Sequence, residues 1–522
     1  MSRTFTDSLF AWCLLPVASM AIAVLPLAAQ PRSTDRSGAD TLENLGANIN
    51  TVFRELCPVI SPDGRTLYFQ REVVPKVKGM ERDFDIYSST LRADGTWSEA
   101  VPLPAPLNTW AYNGLNSILP DGNTLFLDYR YNDDGSTERG FSISHRTADG
   151  WTKPTPIEID DYVNTSEFAN AYLCNDGRTL LLGIQADDTY GDLDLYVSFM
   201  QENGRFTKPT NLGHTVNTSE GESCPFLAAD GQTLYFASKG HHGLGNYDIF
   251  MARRLDDTWH NWSEPVNLGA PINSPAFDAY YTISAAGDYA YLVSYKNSFG
   301  MADIFRVRLR QAVKPKPVVL ISGKAFNSKT GKAISARIRY EFLPEGREAG
   351  VANSTPVEGY KLTLPGGAHY GVRGEAPGYY PINTNIDLSK VLEYREQSVD
   401  LFLVPIEVGS TIRLNNIFFE FGKATLMPES FPELNRVVQL MDQNPTMHID
   451  IAGHTDNVGS DQSNMTLSMN RARAVVQYLT EKGVANDRLG WAGYGKSRPV
   501  ASNETDEGRQ QNRRVEFTVT SK

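Results

Sequence analysis

Five times along the chain a turn containing Asp and Gly separates a short apolar run from a second apolar run, and no other feature limits the fold as strongly. Ser61-Pro62-Asp63-Gly64-Arg65-Thr66-Leu67-Tyr68-Phe69 returns as Leu119-Pro120-Asp121-Gly122-Asn123-Thr124-Leu125-Phe126-Leu127. It recurs as Cys174-Asn175-Asp176-Gly177-Arg178-Thr179-Leu180-Leu181-Leu182 and as Ala229-Asp230-Gly231-Gln232-Thr233-Leu234-Tyr235-Phe236. Ala286-Gly287-Asp288-Tyr289-Ala290-Tyr291-Leu292 is a degenerate fifth copy, and the glycines fall about 55 residues apart. Asp-Gly between β-forming runs is a strong hairpin signal, because the tight turn needs positive φ. Third strands are marked by Asp85-Ile86-Tyr87, Asp194-Leu195-Tyr196, Asp248-Ile249-Phe250 and Asp303-Ile304-Phe305. Fourth strands open at Trp97, Trp151, Phe206 and Trp262, so five inner hairpins meet only four outer strands. The missing one has a candidate upstream: Asn44-Leu45-Gly46-Ala47-Asn48-Ile49-Asn50 copies Asn267-Leu268-Gly269-Ala270-Pro271-Ile272-Asn273.

A repeated four-stranded unit predicts an all-β propeller of five blades over residues 41–311, with the N-terminal segment completing the last blade and removing exposed sheet edges. The repeats resemble the TolB-type Ser-Pro-Asp-Gly propeller family, and that resemblance implies a scaffold for a protein partner of unknown identity. Aromatic and acidic positions that recur in every unit are what blade packing requires. Asp83 with Asp85, and Asp192 with Asp194, could hold calcium, but turn carboxylates need no ion. No metal or other cofactor is expected.

Ala312-Val313-Lys314-Pro315-Lys316-Pro317 reads as a short stiff linker. Beyond it, Gly323-Lys324-Ala325-Phe326, Gly359-Tyr360-Lys361-Leu362-Thr363-Leu364 and Ala376-Pro377-Gly378-Tyr379 are short strands broken by Gly and Pro. They predict a small β-sandwich over 318–404 that resembles the carboxypeptidase regulatory-like domain. A spacer is the expected role; the alternative is carbohydrate binding through Tyr370, Tyr379 and Tyr380.

From Ile406 strands alternate with helices, which predicts an α/β sandwich over 406–522 with helices on one face of a small sheet. Ile417-Phe418-Phe419 and His448-Ile449-Asp450-Ile451-Ala452 read as strands, Pro428 to Asp442 as a helix, and Asn464 as the N-cap of a helix running to Lys482. Arg471 stands in the line Leu467, Arg471, Val475, Leu479, four residues apart on that helix. A charge on an apolar stripe is costly unless paired. Asp456, in the preceding loop, is a candidate partner, and an ordinary Asp–Arg bridge would suffice to explain both.

The run Gly453-His454-Thr455-Asp456-Asn457, then Asn464, Leu467-Ser468 and Arg471-Ala472, resembles the OmpA-like peptidoglycan-binding family. Gly493-Tyr494-Gly495, Pro499 and Asn512-Arg513-Arg514-Val515-Glu516 extend the likeness across the module. The resemblance implies that Asp456 and Arg471 grip the free amino-acid end of diaminopimelate in the peptidoglycan stem peptide, with Thr455 and Asn464 completing the pocket. Carboxylate to ammonium and guanidinium to carboxylate is the chemistry such an end demands. One departure stands at Glu420-Phe421-Gly422-Lys423, where family members often carry an Asp and an Asn. Gly490-Trp491-Ala492-Gly493-Tyr494-Gly495-Lys496-Ser497 spells a phosphate loop, but Arg498-Pro499 follows at once instead of a helix.

The formal net charge of -12 opposes a nucleic-acid partner, which needs cationic residues to displace counterions from phosphate. Arg3 followed by an apolar run from Leu9 to Ala29 reads as a secretory signal peptide over residues 1–29. Cys57, Cys174 and Cys224 make no disulfide framework and no zinc site. Together these point to a non-catalytic periplasmic protein, associated with the outer membrane, that ties a propeller-bound partner to peptidoglycan. The arrangement resembles propeller–OmpA proteins of Bacteroidetes. A carbohydrate-binding envelope protein is the alternative, and a propeller-borne hydrolase is a weaker one, since no Gly-x-Ser-x-Gly or His-Glu-x-x-His occurs.

Overall fold

Antiparallel sheets carry most of the chain in the computed structural model, which describes residues 41–74, 82–420 and 422–522. The expected signal segment lies outside the described residues. Five sheets follow one another between Glu43 and Arg308. In the first, Glu55–Ile60, Thr66–Val73, Asp83–Thr90 and Val101–Pro102 pair in chain order; the third and fourth repeat this plan, and the second adds a fifth short strand, Gly150–Trp151. The fifth contains Ala279–Ile283, Tyr289–Ser294 and Asp303–Arg308, and its outermost strand is Glu43–Asn44. Glu43 sits opposite Arg306 and Asn44 opposite Phe305, where the similarity of segments 44–50 and 267–273 places them. The five hairpin glycines, Gly64, Gly122, Gly177, Gly231 and Gly287, all have φ between 66° and 70°, as the turn chemistry demands.

An asparagine locks each of several sheets to the connection that leaves it. Asn217 accepts from the Leu195 N–H at 2.8 Å and donates to Leu195 O and Asn211 Oδ1, both at 2.9 Å. Asn273 does the same on Ile249 and Asn267, and Asn50 on Ile304 and Asn44. The third-strand carboxylates Asp194, Asp248 and Asp303 accept from Asn211, Asn267 and Asn44 at 2.8, 3.1 and 2.7 Å. Each of these bonds falls on one carboxylate oxygen and ties the third strand to the outer one; among the described residues the second oxygen of Asp194, Asp248 and Asp303 is buried without a hydrogen-bond partner.

The innermost strands stand side by side in chain order, and Ala279–Ile283 returns to lie beside Glu55–Ile60. Four of them carry register shifts at Leu56/Val59, Leu115/Ser117, Ser223/Phe226 and Ala279/Thr282. The bulged residues Cys57, Asn116, Cys224 and Tyr280 line a cavity of about 70 Å³ between the strands. Burial pushes the Cys224 thiol up to about 11 and Cys174 well above its ordinary range, which removes both as thiolate nucleophiles at neutral pH.

Residues 318–405 form three small sheets around Val319, Ile338, Tyr360, Leu362 and Tyr370. Tyr370 and Tyr380 are 1% and 0% exposed, and the half-buried Tyr379 hydroxyl accepts from Asn327. Tyr370 and Tyr380 pack the interior and offer no stacking face to a glycan. This unit covers the Asp-Gly turns: Lys361 reaches Asp63 at 2.5 Å, Asn353 N–H donates to Asp121 at 2.9 Å, and Val351 N–H donates to Asp176 O at 2.8 Å.

In the C-terminal domain the sheet order is Thr411–Leu414, Val515–Ser521, His448–Gly453, Leu489–Gly493, the last pair parallel. Helices α1 (Phe431–Gln443) and α2 (Asp461–Glu481) pack Leu434, Val437, Val475 and Leu479 onto Ile449, Ile451 and Phe517. Tyr380 enters this core, meeting Phe517 edge-on at 5.3 Å and donating to Glu433 at 3.1 Å, so the two domains share packing. Two expectations fail. Ile417-Phe418-Phe419 forms no strand, because Ser430 Oγ bonds both N–H and O of Phe418. The N-cap of α2 is Ser460, whose side chain accepts from Ser463 N–H, and Asn464 lies inside the helix. Among the described residues no helix is long and apolar enough to cross a membrane.

Asn217→Ala removes three buried hydrogen bonds and strands the Leu195 groups, so chemical denaturation should show a loss of about 2–4 kcal/mol. Glu43→Ala, which breaks the exposed pair with Arg306, should cost less than about 1 kcal/mol.

Candidate functional site

The strand His448–Gly453 delivers its last residues into a loop at the N-terminal end of α2, and close helix-to-sheet packing decides what faces that loop. A Cβ on Gly453 would stand 2.2 Å from Ser468 O, and one on Gly493 would stand 2.3 Å from Met469 N. Glycine at both positions therefore lets α2 lie directly against the two parallel strands. Ser468 fills the gap, accepting from Gly495 N–H at 2.9 Å. His454 stacks on Tyr494 with ring centroids 5.4 Å apart and donates from Nε2 to Glu516 at 3.0 Å.

Within this frame Asp456 is buried, with 8% exposure. One carboxylate oxygen accepts from Val458 N–H at 3.0 Å, and the other takes the Arg513 guanidinium at 2.6 Å. Thr455 is 5% exposed; its N–H donates to Gly495 O and its hydroxyl to Asp456 O, both at 3.0 Å. Asn464 is also buried and spends its amide N–H on Val458 O at 3.0 Å. Thr455 and Asn464 thus shape the loop that carries Asp456.

Arg471 does not bond Asp456. Its Nε donates to Lys423 O at 3.1 Å, and its guanidinium lies over the Phe419 ring, 4.8 Å from the centroid. Among the described residues its two terminal nitrogens have no protein hydrogen bond. Burial and the neighbouring Arg513 lower its proton affinity, while Asp456 raises it, so all three groups share one field. The arrangement is one carboxylate between two guanidinium groups, with one fork aimed at no protein acceptor. An incoming carboxylate would find that fork, and an ammonium would compete with Arg513 for Asp456.

The sequence puts Thr455 and Asp456 on the loop and Asn464 and Arg471 on the helix that follows; in the structure Asn464 bonds Val458 O of that loop and Arg471 lies close enough to feel the Asp456 charge. Sequence reasoning gave no role to Arg513, which lies 57 residues from Asp456, or to Phe419 and the Lys423 carbonyl. Glu420, opposite the departure from the family pattern, pairs with Lys423 at 2.6 Å. The phosphate-loop spelling is a turn: Lys496 pairs with Asp461 at 2.7 Å, and helix α3 begins only at Asp506. Among the described residues no group of three His, Cys, Asp or Glu could hold a metal ion.

This C-terminal domain is OmpA-like: residues 418–513 match the OmpA family. Over 103 residues the chain is 45% identical to the peptidoglycan-binding protein ArfA of Mycobacterium tuberculosis, covering 20% of this chain and 32% of that protein. It is 42% identical over 113 residues to outer membrane porin F of Pseudomonas fluorescens, covering 22% of this chain and 35% of the porin. The chain thus spans about a third of the length of these relatives. A solved structure of the peptidoglycan-associated lipoprotein from Burkholderia pseudomallei is 28% identical over 21% of this chain and 88% of its own, with a TM-score of 0.19.

Glu516 sets an acid limit on this frame. Burial raises its proton affinity, but hydrogen bonds from His454 and Arg514 outweigh that and hold the carboxyl down at about 2. A depressed carboxylate contributes fully above the unfolded value of about 4.3 and loses its contribution as pH falls toward the folded value. Stability should therefore decline between pH of about 4.5 and 2, and Glu516→Gln should flatten that limb in denaturant titrations.

Proposed function

We propose that the protein is a non-catalytic anchor of the bacterial cell envelope whose C-terminal domain binds peptidoglycan through the free end of diaminopimelate. The observation that carries this reading is the Arg471 fork held beside the buried Asp456 without a protein acceptor among the described residues. The distal end of diaminopimelate offers a carboxylate and an ammonium on one carbon. Arg471 takes the carboxylate in a two-pronged pair, Asp456 takes the ammonium, and Arg513 turns from Asp456 toward the ligand. Thr455 and Asn464 hold the loop in register, and Phe419 keeps the guanidinium planar to the pocket wall.

In this reading residues 41–311 are a five-bladed propeller, supported by the succession of sheets, the adjacent first and last innermost strands and the Glu43–Asn44 pairing. Residues 318–404 are a carboxypeptidase regulatory-like spacer and 406–522 the wall-binding domain. The propeller holds a protein partner, and the periplasm, at the inner side of the outer membrane, is where both ligands meet. The similarity to a porin and to peptidoglycan-binding proteins supports an envelope location.

Co-sedimentation of the full chain with purified peptidoglycan sacculi tests the site. Wild type should pellet with the sacculi, while Asp456→Ala and Arg471→Ala should each lose at least tenfold in apparent affinity, the scale of one charged hydrogen-bonded pair. Undiminished pelleting of both variants would remove the site.

A further inference from the structure

The two ends of the five sheets differ in what covers them. The hairpin turns at one end, around Asp63, Asp121 and Asp176, are bonded to residues 351–361. Connections at the other end bond one another: Thr165 to Gln185, and Asp192 N–H to Glu220 O at 2.7 Å. Large exposed apolar side chains gather at this second end, among them Phe168 at 73% and Val52 at 69%, with Leu244, Phe299 and Trp110. At the first end Phe199 and Leu255 are comparable, as are Val101 and Val266 where the outer strands begin. Scattered apolar residues need no explanation, but apolar loop tips collected on one end of a domain mark a contact surface.

Charge indicates what that surface fits. The described residues of the connections at this end, over 51–54, 74, 82, 103–113, 132–136, 157–169, 185–193, 212–221, 239–247, 268–278 and 295–302, contain eleven acidic and four basic residues. The excess concentrates where Phe168 stands: Glu167, Asp187, Asp188 and Asp192 are all exposed on the tied loops 157–169 and 185–193. An apolar centre with an acidic rim repels an anionic lipid surface and complements a cation-bearing partner.

We propose that this end of the five-sheet domain docks a basic peptide segment of a partner protein, whose apolar side chains cover Phe168 while its Lys or Arg residues meet Glu167 and Asp187. It rests on the anchor reading above and names the surface that would hold the partner. The test uses the full chain and two synthetic twelve-residue probes, one alternating Lys with Leu and one alternating Lys with Ser, followed by fluorescence anisotropy. The Lys/Leu peptide should bind wild type at least tenfold tighter than the Lys/Ser peptide. Phe168→Ser, and separately Glu167→Lys with Asp187→Lys, should each weaken it at least tenfold, while Leu255→Ser at the covered end leaves it unchanged. Equal binding of both peptides, or variants that bind like wild type, would overturn the proposal. So would a wild-type dimer in sedimentation that Phe168→Ser dissolves, which gives the face to a second copy, or tighter binding to anionic phospholipid vesicles than to the peptide. Sacculus co-sedimentation is run on the same variants: retained wall binding with lost peptide binding separates this surface from the Asp456 site. Failure of Asp456→Ala to affect the wall, with the peptide results intact, would sink only the wall reading.

Discussion

A buried carboxylate beside two guanidinium groups is stable only where the backbone around it is held, and in this molecule that hold is the contact of α2 with two parallel strands. Gly453 and Gly493 allow a backbone approach that any side chain would block, and Ser468 fills what space remains. The approach puts Arg471 on the same side as the loop bearing Asp456. Phe419 and the Lys423 carbonyl then occupy one edge of the guanidinium and leave its fork open. Arg513 pairs with Asp456, so the buried carboxylate is compensated within the protein.

The same economy governs the larger N-terminal domain. Its buried acids tie strands together: Asp194, Asp248 and Asp303 each accept from an outer-strand asparagine, and Asn217, Asn273 and Asn50 fasten those three sheets to the connections leaving them. Tyr380 and Glu433 join the middle unit to the C-terminal core, and Lys361 and Asn353 join it to the hairpin turns. Packing is therefore continuous from the turn end of the five sheets to the C-terminal domain, while the opposite loop end stays uncovered by the described chain.

Local chemistry was legible in the sequence. Asp-Gly turns announce themselves because only a residue tolerant of positive φ fits them, and the copied segments 44–50 and 267–273 pointed to a shared place at the sheet edge. Competition between local and distant partners was not legible. Phe418 looks like strand, but Ser430, twelve residues on, takes both of its backbone groups. Asn464 looks like a cap, but its amide is committed to Val458 O and Ser460 caps instead. Arg513 could not be chosen over Arg471 as the partner of Asp456, since spacing along α2 says nothing of a residue 57 positions beyond Asp456. The bulges that turn Cys57 and Cys224 into the central cavity likewise have no local spelling.

Calorimetric titration with two stem tripeptides tests the central claim most directly. One ends in meso-diaminopimelate, with its distal ammonium and carboxylate free; the other ends in lysine and keeps only the ammonium. With Arg471 reading the carboxylate, the diaminopimelate peptide should bind at least tenfold tighter, and that preference should vanish in Arg471→Ala. Equal affinity of the two peptides for the wild-type protein would contradict the account.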